Sequence, residues 1–530
     1  MMKPLPPTAA GILFLALAAE AQIQFEDVTA AAGLRQPLES ILGHGAAWGD
    51  VDADGDPDLF VGSFADRPTD EYAPRDQPPR NVLLINSGDG RFTPVPGSAA
   101  ASYARTSGAV FADLDNDGWP ELFVGNNAKA KPRKDRGTIQ AGATTQRSQL
   151  FHNQSGELVD ISADSGACPG RLLTARNIGV FDYDADGLLD LYVVEDRFTR
   201  SPRSALYRNL GELRFADATA DAGLPEDVFG LGLATADLNG DGRPDIFVAH
   251  SNRLFLSNGD GTYKEPRPLA ATFAWDPLHN EDWPCGASFG DLNRDGKLDL
   301  VLAIHGKPAR NRIFLNRGAD GSGELKFADV TEEAGLPEQW PEKCPHVEIQ
   351  DFDNDGWPDL YFSGAWLDAA GSITPLIYRN LGGESGAVPR FASPEAPADS
   401  VPVYFPAGPS ADYDQDGRID LFLVNWFSGN HSRLLRNSGQ TGGWLRVRLR
   451  SAGRENRDAI GSSVTLRSGG ELVGYHQITT GYGYASGQEP VAHFGLGKLE
   501  TVDVEVRTPG GNTIRQQGVA KDQLVIIEIP

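Results

Sequence analysis

The chain reads as all-β: a seven-bladed β-propeller whose N-terminal strand closes the last blade, followed by a small C-terminal β-domain. Three observations predict this. The pattern D-x-[DN]-x-D-G-x-x-[DE]-[ILF] begins at Asp50, Asp113, Asp182, Asp237, Asp291, Asp351 and Asp412, at intervals of 54 to 69 residues. Each copy runs straight into a short apolar, strand-forming segment such as Asp245-Ile-Phe-Val-Ala249. A second strand-like segment ending in Asn recurs downstream of each. A supersecondary unit repeated at that interval is the size of a propeller blade.

In chain order, residues 1–21 read as a secretory signal, with Lys3, the apolar stretch Ala9–Ala19 and Ala19-Glu20-Ala21 as a small-x-small cleavage site. That stretch is too short to span a bilayer and no later one is longer, so no membrane insertion is expected. The mature chain is expected to be extracytoplasmic, either periplasmic or extracellular. Residues 22–442 form the expected propeller. Phe25–Thr29 looks like an outer strand with no blade before it, and the seventh repeat, ending at Asn437, has no outer strand after it. Pairing the two closes the ring and leaves no long open sheet edge.

The repeated loops carry the chemistry. The expected ligand sets are Asp50, Asp52, Asp54 and Asp58; Asp113, Asp115, Asp117 and Glu121; and Asp182, Asp184, Asp186 and Asp190. The fourth and fifth are Asp237, Asn239, Asp241 and Asp245, then Asp291, Asn293, Asp295 and Asp299. The last two are Asp351, Asp353, Asp355 and Asp359, then Asp412, Asp414, Asp416 and Asp420. Alternate side chains along a tight loop converge on one point, and the sixth-place glycine supplies the positive-φ turn. An oxygen-only set without Cys or His selects Ca2+, so about seven structural Ca2+ are expected. Where an EF-hand has its bidentate Glu, these repeats have Val61, Val124, Val193, Val248, Leu302, Phe362 and Leu423. The loops are therefore strand-to-strand turns. Solvated acidic turns without metal are the plainer alternative, and seven identical spacings weigh against it.

Downstream strands ending in Asn run over Arg80–Asn86, Ser148–Asn153, Ser204–Asn209, Arg253–Asn258, Asn311–Asn316, Leu376–Asn380 and Ser432–Asn437. Segments such as Phe215–Gly223, Phe327–Gly335 and, more weakly, Leu158–Gly166 supply outer strands. The strands flanking each loop run toward it and away from it. Residues about six before each motif and thirteen or fourteen after its start must therefore meet at the far end. That rim collects His44, Arg176, Asn177, Asp196, His250, His305, His346, Trp366 and Trp426, a mixture suited to holding a ligand. Taken singly, each also fits an ordinary loop residue.

The net charge is −26, and seven Ca2+ would bring it to −12, so the acidity is concentrated in the loops. Such a surface repels nucleic acid and anionic membranes, and no nucleic-acid partner is expected. Three cysteines are too few for a disulfide scaffold. Cys285 and Cys344 occupy nearly matching places in neighbouring repeats. A bridge between them, leaving Cys168 unpaired, stands against three buried thiols.

The tail, residues 443–530, alternates strand-like runs at Trp444–Leu449, Ser463–Leu466, Val473–Ile478, Val502–Val506 and Leu524–Ile529 with Gly-rich turns. It is expected to pack on the closing blade, with His493 read as a hydrogen-bonded structural residue in preference to a ligand. Its Asn456-Arg-Asp-Ala-Ile-Gly461, Gly481-Tyr-Gly-Tyr-Ala-Ser486, His493-Phe-Gly-Leu-Gly497 and Val504–Gly510 resemble the ASPIC/UnbV domain. The repeats over residues 40–440 resemble FG-GAP/VCBS repeats of integrin α-chain-type propellers. Together they resemble bacterial exported proteins and the cartilage acidic protein family. Ala459 stands where that domain usually has Gly, and Arg507-Thr508 where it has Trp-Pro. The resemblance implies calcium binding and an extracytoplasmic interaction role, with no enzymatic activity to carry over.

Two function classes follow. One is an adhesion or binding module for an extracellular or periplasmic protein or glycan, built on a calcium-stiffened platform. It is favoured by the absence of H-E-x-x-H, P-loop and C-x-x-C signatures. The other is a polysaccharide-active enzyme of lyase or dehydratase type on the non-calcium rim, since some similar repeat propellers act on sugars. There His, Arg and acid residues would serve as acid and base, and Trp283, Trp366 and Trp426 would stack on sugar rings. A purely structural surface component is a third possibility.

Overall fold

A computed structural model describes residues 23–530, apart from 66, 68, 129–145, 172–173 and 198–201. The expected signal segment lies outside these residues. The described chain is all-β. Seven antiparallel sheets succeed one another along it, each with four strands in meander order; the first and sixth gain an extra strand each. The fourth blade is representative: Gly230–Ala236, Asp245–His250, Arg253–Ser257 and Tyr263–Lys264, counted outward from the axis. Its inner strand, Gly-Leu-Gly-Leu-Ala-Thr-Ala, is small-residued and wholly buried because strands crowd near the axis. The second strand is apolar and buried except at its His250 end, as a strand covered on both faces must be.

The last blade confirms the closure. Its strands are Ser410–Ala411, Asp420–Leu423, Arg433–Asn437 and, outermost, Phe25–Asp27, with Phe25 opposite Asn437 and Asp27 opposite Leu435. Side chains complete the ring between the seventh and first blades. Trp48 packs against Phe422 at 6.3 Å between ring centroids, and its Nε1 donates to Pro409 O at 3.1 Å.

Two short sequence signals explain how blades are stitched. Asp-x-Thr/Ser ends an outer strand: Thr29, Thr219, Thr331 and Ser162 each donate to the carboxylate two residues back. Their hydroxyls in turn accept a third-strand N–H, from Leu434, Leu206, Ile313 and Leu150. Phe25–Thr29 carries the same device, which is why it fits the seventh blade. The Asn that ends a third strand reaches the preceding blade. Asn86, Asn153, Asn209, Asn380 and Asn437 donate to the carbonyls of Tyr413, Val51, Leu114, Leu292 and Phe352 at 2.7–3.0 Å. In the fourth blade the strand ends one residue early, so Ser257 takes this place and Asn258 is an exposed turn residue.

The tail builds two sheets. Val491–Gly497 pairs with Gly443–Ser451, which pairs in parallel with Gln523–Ile529. Glu471–Gln477, Ser463–Ser468, Thr501–Arg507 and Thr513–Ala520 form the other. Ala459 takes the left-handed conformation, φ 49°, that Gly would hold without strain. The tail does not simply pack on the closing blade. It sits over the loop end of the ring: Arg457 N donates to Asn116, Gln477 accepts from Asp237 N, His493 meets Asn354, and Trp444 packs on Gly417. The contacts reach the second, fourth, sixth and seventh blades, because one convex domain centred on the axis must touch loops all round it. Of the two alternatives for the cysteines, the Cys285–Cys344 bridge is not formed, and Cys168 is free but only partly buried. The Cys285 and Cys344 thiols are free and buried, in separate parts of the core.

Candidate functional site

All seven acidic motifs make the same loop. The first Asp accepts the N–H of the sixth-place Gly at 2.7–3.1 Å in every copy: Gly55, Gly118, Gly187, Gly242, Gly296, Gly356 and Gly417. Two residues per loop are left-handed. The Gly is one, and the fourth place is the other, at φ 54–79° for Ala53, Asn116, Ala185, Gly240, Arg294, Asn354 and Gln415.

The ninth-place acid has a second duty that the motif does not announce. Asp58, Glu121, Asp190, Asp245, Asp299, Asp359 and Asp420 are fully buried. One oxygen of each accepts the N–H of the motif's second residue at 2.8–3.3 Å. The other accepts an N–H from the end of the third strand at 2.7–3.2 Å. It is thus a structural clamp as well as a candidate ligand.

Ligand atoms lie within 4.8 Å of one another in Asp50/Asp52/Asp58, Asp113/Asp115/Asp117, Asp182/Asp184/Asp190 and Asp351/Asp353/Asp355. Oδ1 of the third-place residues Asp52, Asp184, Asn293 and Asp414, and Oδ1 of Asp50, are buried with no hydrogen-bond partner. A buried oxygen with nothing to accept from is costly unless a cation faces it. Burial foremost, helped by crowded carboxylates, pushes Asp182 up to about 6, Asp113 to about 7, Asp58 to about 8 and Glu121 to about 9. Asp291 and Asp412 rise to about 7, with burial again the largest cause. These groups call for positive charge, and the loops suit a divalent cation. Some receive part of it from side chains: Arg208 Nε lies 2.7 Å from Asp184, and the tail's Arg446 lies 3.1 Å from Asp412.

The opposite end gathers the other predicted residues into clusters. His44 Nδ1 lies 3.0 Å from the Tyr484 hydroxyl, and its ring meets Trp426 edge-on at 4.2 Å. Arg176 Nε donates to Asp196 at 2.7 Å. His250 and His305 lie parallel to the Trp283 indole, 5.3 and 5.2 Å between centroids. Burial holds both imidazoles neutral, His250 down at about 3 and His305 at about 4. Trp366 packs edge-on against Trp340 at 4.7 Å. His346 is not on the rim. It is fully buried in the channel wall, with Nε2 2.8 Å from Glu348.

The reason is a plug that sequence reasoning missed. The tail's Gly481–Gln488 loop threads the axial channel. Gly483 N donates to Leu233 O and Ala287 O, Asn177 reaches Gly481 O and Gly483 O, and Tyr484 N donates to His346 Nδ1. Tyr482 donates to Glu348, and Ser486–Gly487 adds a parallel strand inside Ala46–Gly49. Asn177 is therefore occupied by the plug. The clue was the string Gly481-Tyr-Gly-Tyr-Ala-Ser486, whose glycines permit a backbone this close to six inner strands. His152, beside Asp115 and Glu121, was missed as well; it stands directly before the recurrent Asn153. The string Gly286-Ala-Ser-Phe-Gly290 has the spacing of a hydrolase nucleophile elbow. It lies inside the extended inner strand Pro284–Gly290, not at a strand-to-helix turn.

Residues 452–530 match the family described as ASPIC and UnbV, and residues 50–124, 182–248, 249–302 and 291–362 match FG-GAP-like repeats. Cartilage acidic protein 1 of Mus musculus is 27% identical over 517 residues, covering 92% of this chain and 74% of that protein. The Homo sapiens protein of the same name is also 27% identical, covering 92% of this chain and 72% of its own. Among solved structures, the exotype rhamnogalacturonan lyase YesX aligns over 91% of this chain and 73% of its own. Its sequence identity is 15% and its TM-score 0.37.

Proposed function

The chain is an FG-GAP-repeat protein with a C-terminal ASPIC/UnbV domain, and on that premise we propose that it works as an exported, calcium-stiffened binding module for a protein or glycan. The observation that carries this reading is the division of the ring into two faces. One face has an acidic loop in every blade, with ligand oxygens gathered within 4.8 Å of one another in the first, second, third and sixth. The other displays His, Trp and Arg side chains held by one another and by the plug. Oxygen-only loops of this kind suit Ca2+, and open sites of extracellular modules bind with Kd on the order of 0.1–1 mM. The signal-like residues 1–21 and the cartilage name of the relatives are in keeping with action outside the cytoplasm. Among the described residues, no helix is long and apolar enough to cross a membrane.

A catalytic rim is the weaker reading, because its would-be parts are engaged. Arg176 is tied to Asp196, His346 is sealed beneath the plug, and Trp283, Trp366 and Trp426 are stacked or edge-packed. A glycan array run beside a reducing-end release assay, with and without a calcium chelator, separates the two. Chelator-sensitive binding without turnover is the expected result. Release of reducing ends by the wild type and not by Arg176→Ala would overturn it in favour of the enzyme.

A further inference from the structure

The second blade departs from the other six at two places that face each other. Its motif ends in Glu121 where the others end in Asp, and its third strand carries His152 directly before Asn153. The equivalent place holds Arg208, Arg379 and Arg436 in the third, sixth and seventh blades, and Ile85, Leu256 and Leu315 in the first, fourth and fifth. That place looks onto the loop carboxylates. Arg208 reaches Asp184 at 2.7 Å and Asp186 at 3.1 Å, and Arg379 reaches Asp355 at 3.0 Å. A guanidinium there can act only as a counter-charge. An imidazole has a lone pair to give.

The geometry is close to that of a coordination shell. His152 Nδ1 lies 3.1 Å from Glu121 Oε1 and 3.9 Å from Asp115 Oδ2. The ligand atoms of Asp115, Glu121 and His152 lie within 4.8 Å of one another. Two ligands bound to one small ion at about 2.0–2.2 Å sit roughly 3–3.5 Å apart, so a modest closure of Asp115 completes the set. The longer Glu side chain makes this possible. Glu121 Oε2 keeps the Leu114 N–H at 2.9 Å, the bond made by Asp in the other blades, while Oε1 reaches the imidazole. Ca2+ has little use for a nitrogen ligand, whereas imidazole with carboxylates suits borderline transition ions.

We propose that Asp115, Glu121 and His152 form a transition-metal centre that takes an ion of the Zn2+ class in preference to Ca2+. The proposal rests on the reading of the loops as cation sites and changes the ion at one of them. To test it, the stripped full chain is saturated with Ca2+, exposed to a small excess of Zn2+ and desalted into Ca2+ buffer, and its metals are counted by mass spectrometry. The wild type is expected to keep one Zn2+ per chain. His152→Arg, which installs the side chain of three sister blades, is expected to weaken Zn2+ retention by about tenfold or more, with the Ca2+ count at the other loops unchanged and the melting temperature unchanged before Zn2+ is added. His152→Ala repeats the test if the Arg variant folds poorly. Equal Zn2+ in wild type and variant, or none in the wild type, overturns the proposal. His152-dependent Zn2+ in a chain that binds no Ca2+ would instead sink the calcium reading and leave this one standing.

Discussion

Small side chains set the energetics of each blade. Asn153 is fully buried and donates to Val51 O in the first blade at 2.8 Å and to Pro120 O in its own at 3.2 Å. Removing the amide leaves a buried carbonyl unpaired, which costs about 1–3 kcal/mol. Asn153→Ala should lower the melting temperature by roughly 1–3 °C in saturating Ca2+. Asn258→Ala, at the exposed turn that sequence spacing equates with it, should leave it unchanged. Equal effects would show that the inter-blade bond contributes nothing. The Asn spacing was legible in sequence, but its partner one blade away was not. The third-place oxygens were legible because a ligand loop is local and nine residues hold it. The ninth-place clamp was not, since one of its two partners comes from a strand 12 to 32 residues downstream.

Among elements, the axial plug decides most. Gly483 is left-handed at φ 77°, and a Cβ there would lie 2.4 Å from the His346 ring. A left-handed alanine costs about 1–2 kcal/mol, and overpacking adds about 1–3 kcal/mol. Gly483→Ala should therefore expel the loop, loosen the tail from the ring and expose residues beyond Gly443 to protease while the blades stay resistant. A tail as resistant as wild type would refute that coupling. The N-terminal strand shows the opposite case. Its Asp27-x-Thr29 device repeats that of Asp217-x-Thr219 and Asp329-x-Thr331, so its place in the seventh blade could be read from the chain.

For the whole molecule, the balance is one of buried charge. Stripped of metal, the folded chain holds Asp113, Asp291 and Asp412 at about 7, Asp58 at about 8 and Glu121 at about 9, chiefly through burial. In the unfolded chain these groups ionise near 4. Between about pH 6.5 and 8 the folded state therefore binds more protons than the unfolded one, and stability falls as pH rises. Histidines oppose this in part: His250, His305, His431, His476 and His493 are held neutral by burial in the folded chain. In the unfolded chain each is about half protonated at pH 6.5, so they offset some of the fall without reversing it. The stripped protein should melt at lower temperature at pH 8 than at pH 6.5, and Ca2+ should flatten the profile by replacing the protons. A stripped protein whose melting temperature is flat or rises over that window would end this account.

Seven copies of one loop, each with its own acidic residues, turn and following strand, made the repeat, its clustered carboxylates and the closing strand readable from the chain alone. Each of those depends on residues close in sequence or on a pattern printed many times. Tertiary structure alone revealed the seat of the tail over the loops, the plug through the axis, the burial of His346 and the meeting of His152 with Glu121. Those contacts join segments up to hundreds of residues apart and occur once each, so no periodicity announces them, and only packing brings their atoms within reach.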